Sequence, residues 1–144
     1  MKVVENKYRI KPVHDILYVD LLGSWNPDRT YDYSLEYKKI VSRYFAREWV
    51  CVLNLQHLDL LISEPAQVET FKALNTWSYI KGMTALVVMV GIQNRHHLLY
   101  QFEEIFNDRQ PYEKVVFYSD VELNAWMSDH GLFKNILHDA QKTA

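Results

Sequence analysis

Cysteine is nearly absent: Cys51 stands alone among 144 residues, which excludes an intrachain disulfide and any zinc site built on several thiolates. Glycine and proline are scarce, four of each, leaving little material for long loops or linkers. The longest strongly apolar run, Ala85 to Val90, falls far short of the roughly 20 residues a bilayer crossing needs. Met1 to Lys7 hold no hydrophobic stretch of the kind a secretory signal uses, and with the single cysteine this gives the expectation of a cytoplasmic protein. Neither charge sign dominates, with 16 Lys and Arg against 18 Asp and Glu and a net charge of −2. No general attraction to nucleic acid or anionic lipid is therefore expected. A Gly-x-Ser-x-Gly elbow and a Gly-rich phosphate loop are also missing, so nothing in the sequence points to the enzymes that use them. No internal repeat or low-complexity segment is evident.

What is present is the composition of a globular domain, 49% apolar and 24% charged, and residues 1–144 are read as a single unit with its core over about 7–131. Lys7, Arg9 and Lys11 alternate with Tyr8 and Ile10, the period of an edge strand with one charged face. Lys11-Pro12-Val13-His14-Asp15 reads as a turn, and Ile16 to Leu22 as the second arm of an antiparallel hairpin. Asn26 followed by Pro27 marks a helix start. Tyr33, Tyr37, Ile40, Val41 and Tyr44 then share one stripe of a helix running to about Phe45. Acidic residues lie toward its beginning and basic ones toward its end, in keeping with the helix dipole. Lys39, Arg43 and Arg47 mark its solvated side. Trp49 to Leu55 is a central strand. A second helix spans about Glu64 to Ile80, with Val68, Phe71, Leu74 and Trp77 inward and Gly82 closing it. Ala85 to Val90 is the next strand, followed by a helix carrying Leu98, Phe102, Ile105 and Phe106. Val115 to Tyr118 is the fifth strand, and Ser119 with Glu122 makes a capping box for a last helix that Gly131 ends. The order β-β-α-β-α-β-α-β-α requires an α/β fold with a five-stranded mixed sheet, mainly parallel, opened by an antiparallel hairpin.

In such a sheet, ligands and partners meet the loops at the carboxyl ends of the strands. Those ends carry Ser24, Trp25, Asn26, Gln56, His57, Asp59, Gln93, Asn94, Arg95, Ser119 and Asp120. Gln93, Asn94 and Arg95 are candidate contacts for a small anion, Arg95 supplying charge. The same Ser, Asn and Asp residues also suit turns and caps. Trp25, next to Gly23 and Ser24, is the aromatic residue expected on a docking surface, whereas Tyr31, Tyr33, Trp77 and Tyr79 fit core packing. His96 and His97 are neighbours on a helix and diverge, so they lack the i, i+4 spacing of a helical metal pair. His57 with Asp59 fits a surface pair. Cys51, in mid-strand, reads as an inert buried thiol. No metal or cofactor is implied.

Val19-Asp20-Leu21-Leu22-Gly23, Val52-Leu53-Asn54-Leu55 and Leu86-Val87-Val88-Met89-Val90-Gly91, set in this element order, resemble the STAS domains and the SpoIIAA-like group, the anti-sigma factor antagonists and their relatives. That resemblance implies a SpoIIAA-like β-α superhelix and a non-enzymatic protein-interaction or regulatory module. In the antagonists a phosphorylatable serine lies nine residues beyond a strand aspartate. Counted from Asn54, that place is Ser63. The local pattern departs from the family's: Asn54 replaces the strand aspartate, Ile62 the aspartate before the serine, and Pro65 the glycine. The resemblance places the working surface at His57, Asp59, Ser63 and Glu64, with Ser24, Trp25 and Asn26 beside it, and leaves the phosphoserine switch incomplete. A serine before Glu64-Pro65 also suits an N-cap. The expected partner is another protein, and a homodimer stays open. The other reading is a carrier of a small apolar or anionic ligand, by analogy with lipid-binding lobes of related topology.

Overall fold

In the computed structural model of the chain, the described residues are 7–91, 100, 101, 103–105 and 110–132. The strands are β1 (Tyr8–Val13), β2 (Ile16–Leu21), β3 (Gly23–Ser24), β4 (Trp49–Asn54), β5 (Leu58–Leu60), β6 (Met83–Met89) and β7 (Glu113–Phe117). The helices with both ends described are α1 (Pro27–Tyr44), α2 (Pro65–Ile80) and α3 (Asp120–Asp129). Residues 100, 101 and 103–105 are helical too. The expected helix residues Leu98, Phe102 and Phe106 lie outside the described residues.

One five-stranded sheet runs β1-β2-β4-β6-β7, antiparallel at β1–β2 and parallel elsewhere, while β3 and β5 pair separately. The mixed sheet and its leading hairpin are as the residue pattern requires. The hairpin is longer than the turn residues suggest: β1 continues through Pro12 to Val13, and only His14 and Asp15 connect Val13 to its partner Ile16. His14 takes the left-handed backbone, φ 55, that a two-residue hairpin loop demands.

Strand alternation divides the core into two layers. Leu17, Val19, Leu21, Cys51, Leu53, Leu86 and Val88 face α1 and α2, meeting Tyr33, Tyr37, Val41, Phe71 and Leu74. Ile16, Tyr18, Val50, Val52, Ala85, Val87 and Met89 face the other way, toward Leu123 and Met127 of α3. Cys51 is buried in the first layer, and burial pushes its thiol up to about 12.

The helix boundaries follow local chemistry. Asn26 caps α1, its side chain accepting from the Arg29 N–H at 2.8 Å, with Pro27 at the first helical position. Ser119 caps α3, accepting from the Glu122 N–H at 3.3 Å, while the Glu122 carboxylate reaches back to the Tyr118 N–H at 3.2 Å. After α2, Gly82 sits at φ 108, where a Cβ would lie 2.9 Å from the Arg47 carbonyl oxygen. Tyr44 departs from the inward stripe and is 56% exposed. The next residue, Phe45, takes the inward place instead, stacked on Trp49 at 5.3 Å. Lys39, Arg43 and Arg47 are exposed, as their spacing suggests.

Candidate functional site

The carboxyl ends of β2 and β4 are joined by the small β3–β5 sheet. Gly23 N–H donates to the His57 carbonyl at 3.1 Å and Trp25 N–H to the Leu60 carbonyl at 2.8 Å. Ser24, His57 and Asp59, all exposed, are thereby brought to one place. Ser24 and Asp59 lie in β3 and β5 rather than in loops. Asn26 follows directly, exposed and engaged as the α1 cap.

Trp25 corrects the expectation of a docking residue. It is 2% exposed, its ring 5.3 Å from Tyr33 and 5.9 Å from Tyr8, and its indole N–H donates to the Leu22 carbonyl at 2.9 Å. The β3–β5 pairing holds the backbone up to its N–H and the α1 cap at Asn26 follows, and an indole with a satisfied N–H gains most by joining the aromatic layer. A single residue between a strand and a helix has no periodicity from which its direction could be read.

Beyond β5 the chain reaches Ser63 and Glu64, both exposed. The N-cap of α2 is Glu64, one residue later than the serine that suits the role. What organises this loop is Gln67, 1% exposed. Its Oε1 accepts from the Ser63 N–H at 2.7 Å, the Ser63 hydroxyl at 2.9 Å and the Glu64 N–H at 2.9 Å. Its Nε2 donates to Thr30 Oγ1 in α1 at 3.0 Å and to the Leu61 carbonyl at 2.9 Å. One amide thus ties the serine loop to the first turns of both helices. Beside it lies an open groove of about 330 Å³, lined by Ile62, Ser63, Pro65 and Val68 on one side and Tyr100 and Glu104 on the other. Gln101 also lines it, accepting from the Ile62 N–H at 3.2 Å. Tyr100 is 78% exposed, a large apolar ring left at the rim.

A buried polar cluster at the ends of β2 and β4 has no counterpart in the sequence reading. Asp20, 5% exposed, accepts from the Tyr18 hydroxyl and from Asn54 Nδ2, each at 2.9 Å, and faces Arg9 at 3.5 Å. Asn54 Oδ1 accepts from the Gln56 N–H at 3.1 Å. Burial, then the Asp20 charge, push the Tyr18 hydroxyl well above its ordinary value. The signal available was one carboxylate inside an apolar strand, opposite Arg9 in the hairpin register. Gln93, Asn94 and Arg95, together with His96 and His97, lie outside the described residues. Among the described residues no group of three or more His, Cys, Asp and Glu side chains could hold a metal ion, and no helix is long and apolar enough to cross a membrane.

No family model matches the chain, and no curated protein does. Among solved structures the chain is similar to an uncharacterised protein of the DUF3478 family with a SpoIIAA-like fold, from Shewanella loihica PV-4. The TM-score is 0.56 at 13% identity, over 88% of this chain and 98% of that one. With the five-stranded mixed sheet and its leading hairpin, this establishes a SpoIIAA-like fold.

Proposed function

We propose, from the SpoIIAA-like fold and the groove at Ser63, that the protein is a non-enzymatic docking module for another protein, working without a phosphoserine switch. The observation that carries this reading is the position of Gln67. A phosphate on a serine at a helix start is held by the backbone N–H groups there. In this chain the N–H groups of Ser63 and Glu64 both donate to Gln67 Oε1, and the Ser63 hydroxyl spends its only proton on the same atom. Esterifying Ser63 would remove that donor and set a dianion against an acceptor oxygen and the neighbouring Glu64. The groove is thus built in one arrangement, with Tyr100 and Val68 as apolar contacts and Glu64 and Glu104 on the rim, the mixed composition of a transient interface.

The test is photocrosslinking in the host from a photoreactive residue at position 64, followed by calorimetry with the captured protein. Val68→Asp and Tyr100→Ala are expected to weaken that complex at least tenfold. Ser63→Glu should weaken it as well, because a carboxylate cannot replace the hydroxyl donor to Gln67, and the chain isolated from its host should carry no phosphate on Ser63. Stoichiometric phosphate at Ser63, or affinity indifferent to Val68 and Tyr100, would refute the reading.

A further inference from the structure

Among the described residues β1 is an outer strand of the sheet, and one hydrogen bond fixes which way its backbone faces. Leu22 N–H donates to the Lys7 carbonyl at 2.8 Å. Alternation in an antiparallel ladder then turns the backbone groups of Lys7, Arg9, Lys11 and Val13 toward β2, and those of Tyr8, Ile10 and Pro12 away from it. Pro12, which has no N–H, occupies an outward position, where proline costs the sheet no ladder bond. Tyr8 and Ile10 present N–H and C=O pairs to the outside.

A groove of about 540 Å³ runs along this edge, lined by Lys7 to Lys11 on the strand side and by Asp28, Arg29, Asp32 and Glu36 on the α1 side. It shares no lining residue with the groove at Ser63. The helix wall is acidic, because the Arg29 guanidinium is turned onto the Ser24 carbonyl. Asp28, Asp32 and Glu36 recur every four residues, a spacing of about 6 Å along a helix axis. Alternate residues of an extended chain are about 6.7 Å apart. As the connection between parallel β2 and β4, α1 runs back against β2 and therefore in the direction of β1. An extended segment lying along β1 would thus meet Asp28 and Asp32 nearly in step, and with them Glu36, which already accepts from the Tyr8 hydroxyl at 2.7 Å through one oxygen.

A second copy of this chain is the wrong occupant. Antiparallel pairing of β1 with β1 sets Lys7, Arg9 and Lys11 of one copy beside those of the other on the face away from α1, where like charges across a strand pair are repulsive, whereas basic residues that meet the α1 carboxylates lie on the opposite face. We propose that the β1 edge and the acidic side of α1 form a strand-addition groove for an extended segment of a partner protein with Lys or Arg at alternate positions. Backbone hydrogen bonds to Tyr8 and Ile10 supply the common part of the affinity, and the α1 carboxylates select the sequence.

The test uses the full chain and a fluorescein-labelled octapeptide of alternating Lys and Thr, with a peptide of four Lys followed by four Thr as its equal-charge comparison. The alternating peptide should bind at least tenfold tighter by fluorescence polarisation and shift the amide resonances of Tyr8 to Val13. Asp32→Lys, at an exposed position, should reduce that binding at least tenfold, whereas Asp129→Lys, exposed on α3, should leave it within twofold. Equal affinity for the two peptides, indifference to Asp32→Lys, no binding at all, or self-association through β1 in sedimentation would each overturn the proposal. None of these outcomes bears on the Ser63 groove.

Discussion

Gln67 is the side chain whose loss would be felt most widely, because five hydrogen bonds converge on a group that solvent cannot reach. Gln67→Ala would strand the Ser63 and Glu64 N–H groups and the Leu61 carbonyl together. Unpaired buried groups cost about 1–3 kcal/mol each, less where water can enter, so a loss of about 2–4 kcal/mol is expected in urea denaturation. The Asp20 cluster separates two contributions that are easily merged. Arg9 is 45% exposed at its side chain against 7% for Asp20, so the ion pair is screened and Arg9→Ala should cost at most about 1 kcal/mol. Asp20→Ala removes the acceptor for Tyr18 and Asn54 and should cost about 2–4 kcal/mol. Equal losses for the two variants would mean that the ion pair, and not the hydrogen bonds, holds the cluster.

At the scale of elements, the join between α2 and β6 is the most constrained. Gly82 accepts from the Trp49 N–H at 3.1 Å, and the Trp49 indole N–H donates to the adjacent Lys81 carbonyl at 3.0 Å. Both contacts require the backbone to pass close to Arg47 and Glu48, which a side chain at position 82 would prevent. Gly82→Ala combines that clash with a left-handed φ of 108 and should cost about 1–3 kcal/mol, read as a lowered thermal midpoint with the far-ultraviolet spectrum retained. The elements most legible in the sequence were those whose signals are repeated or terminal: the α1 stripe from Tyr33 to Val41, the caps at Asn26 and Ser119, and the apolar strands β2, β4 and β6. The β3–β5 pair was not legible, since strands of two and three residues carry no period. Pro12 reads as part of a turn from sequence because a proline's tolerance inside a strand depends on which way its missing N–H faces, and that is settled only by pairing.

For the whole molecule, the titrating groups of the first core layer point one way. Burial holds Tyr33 and Tyr37 well above the usual phenol range and the Cys51 thiol at about 12. At the layer's margin Tyr8, partly buried and donating to Glu36 at 2.7 Å, is also raised to about 12. Each group is neutral in the folded chain at a pH where the unfolded chain would release its proton. The stability they contribute is therefore complete below about pH 9 and falls as pH rises toward and through 12, since the folded state binds more protons over that window. Urea midpoints should stay level from pH 7 to 9 and decline steadily above, and a level midpoint at pH 11 would contradict this. The candidate site was legible only in part. Element order puts His57 beyond the end of β4 and the resemblance points to Ser63 and Glu64, whereas Asp59, expected in a loop, lies in β5, and Gln67 and Asp20 could not be singled out. A buried polar residue is defined by partners distant in sequence, such as Thr30 for Gln67 and Arg9 and Asn54 for Asp20.

The pairing of β3 with β5 also bears on how the chain tolerates change in length. Strand-to-helix junctions are ordinarily where insertions are accepted, because each connection closes independently. Here the connection leaving β2 and the connection leaving β4 are fastened to each other. A residue added in either would slip one against the other and pull at Trp25, which lies inside the aromatic layer. The two segments are therefore bound to vary in length together or not at all.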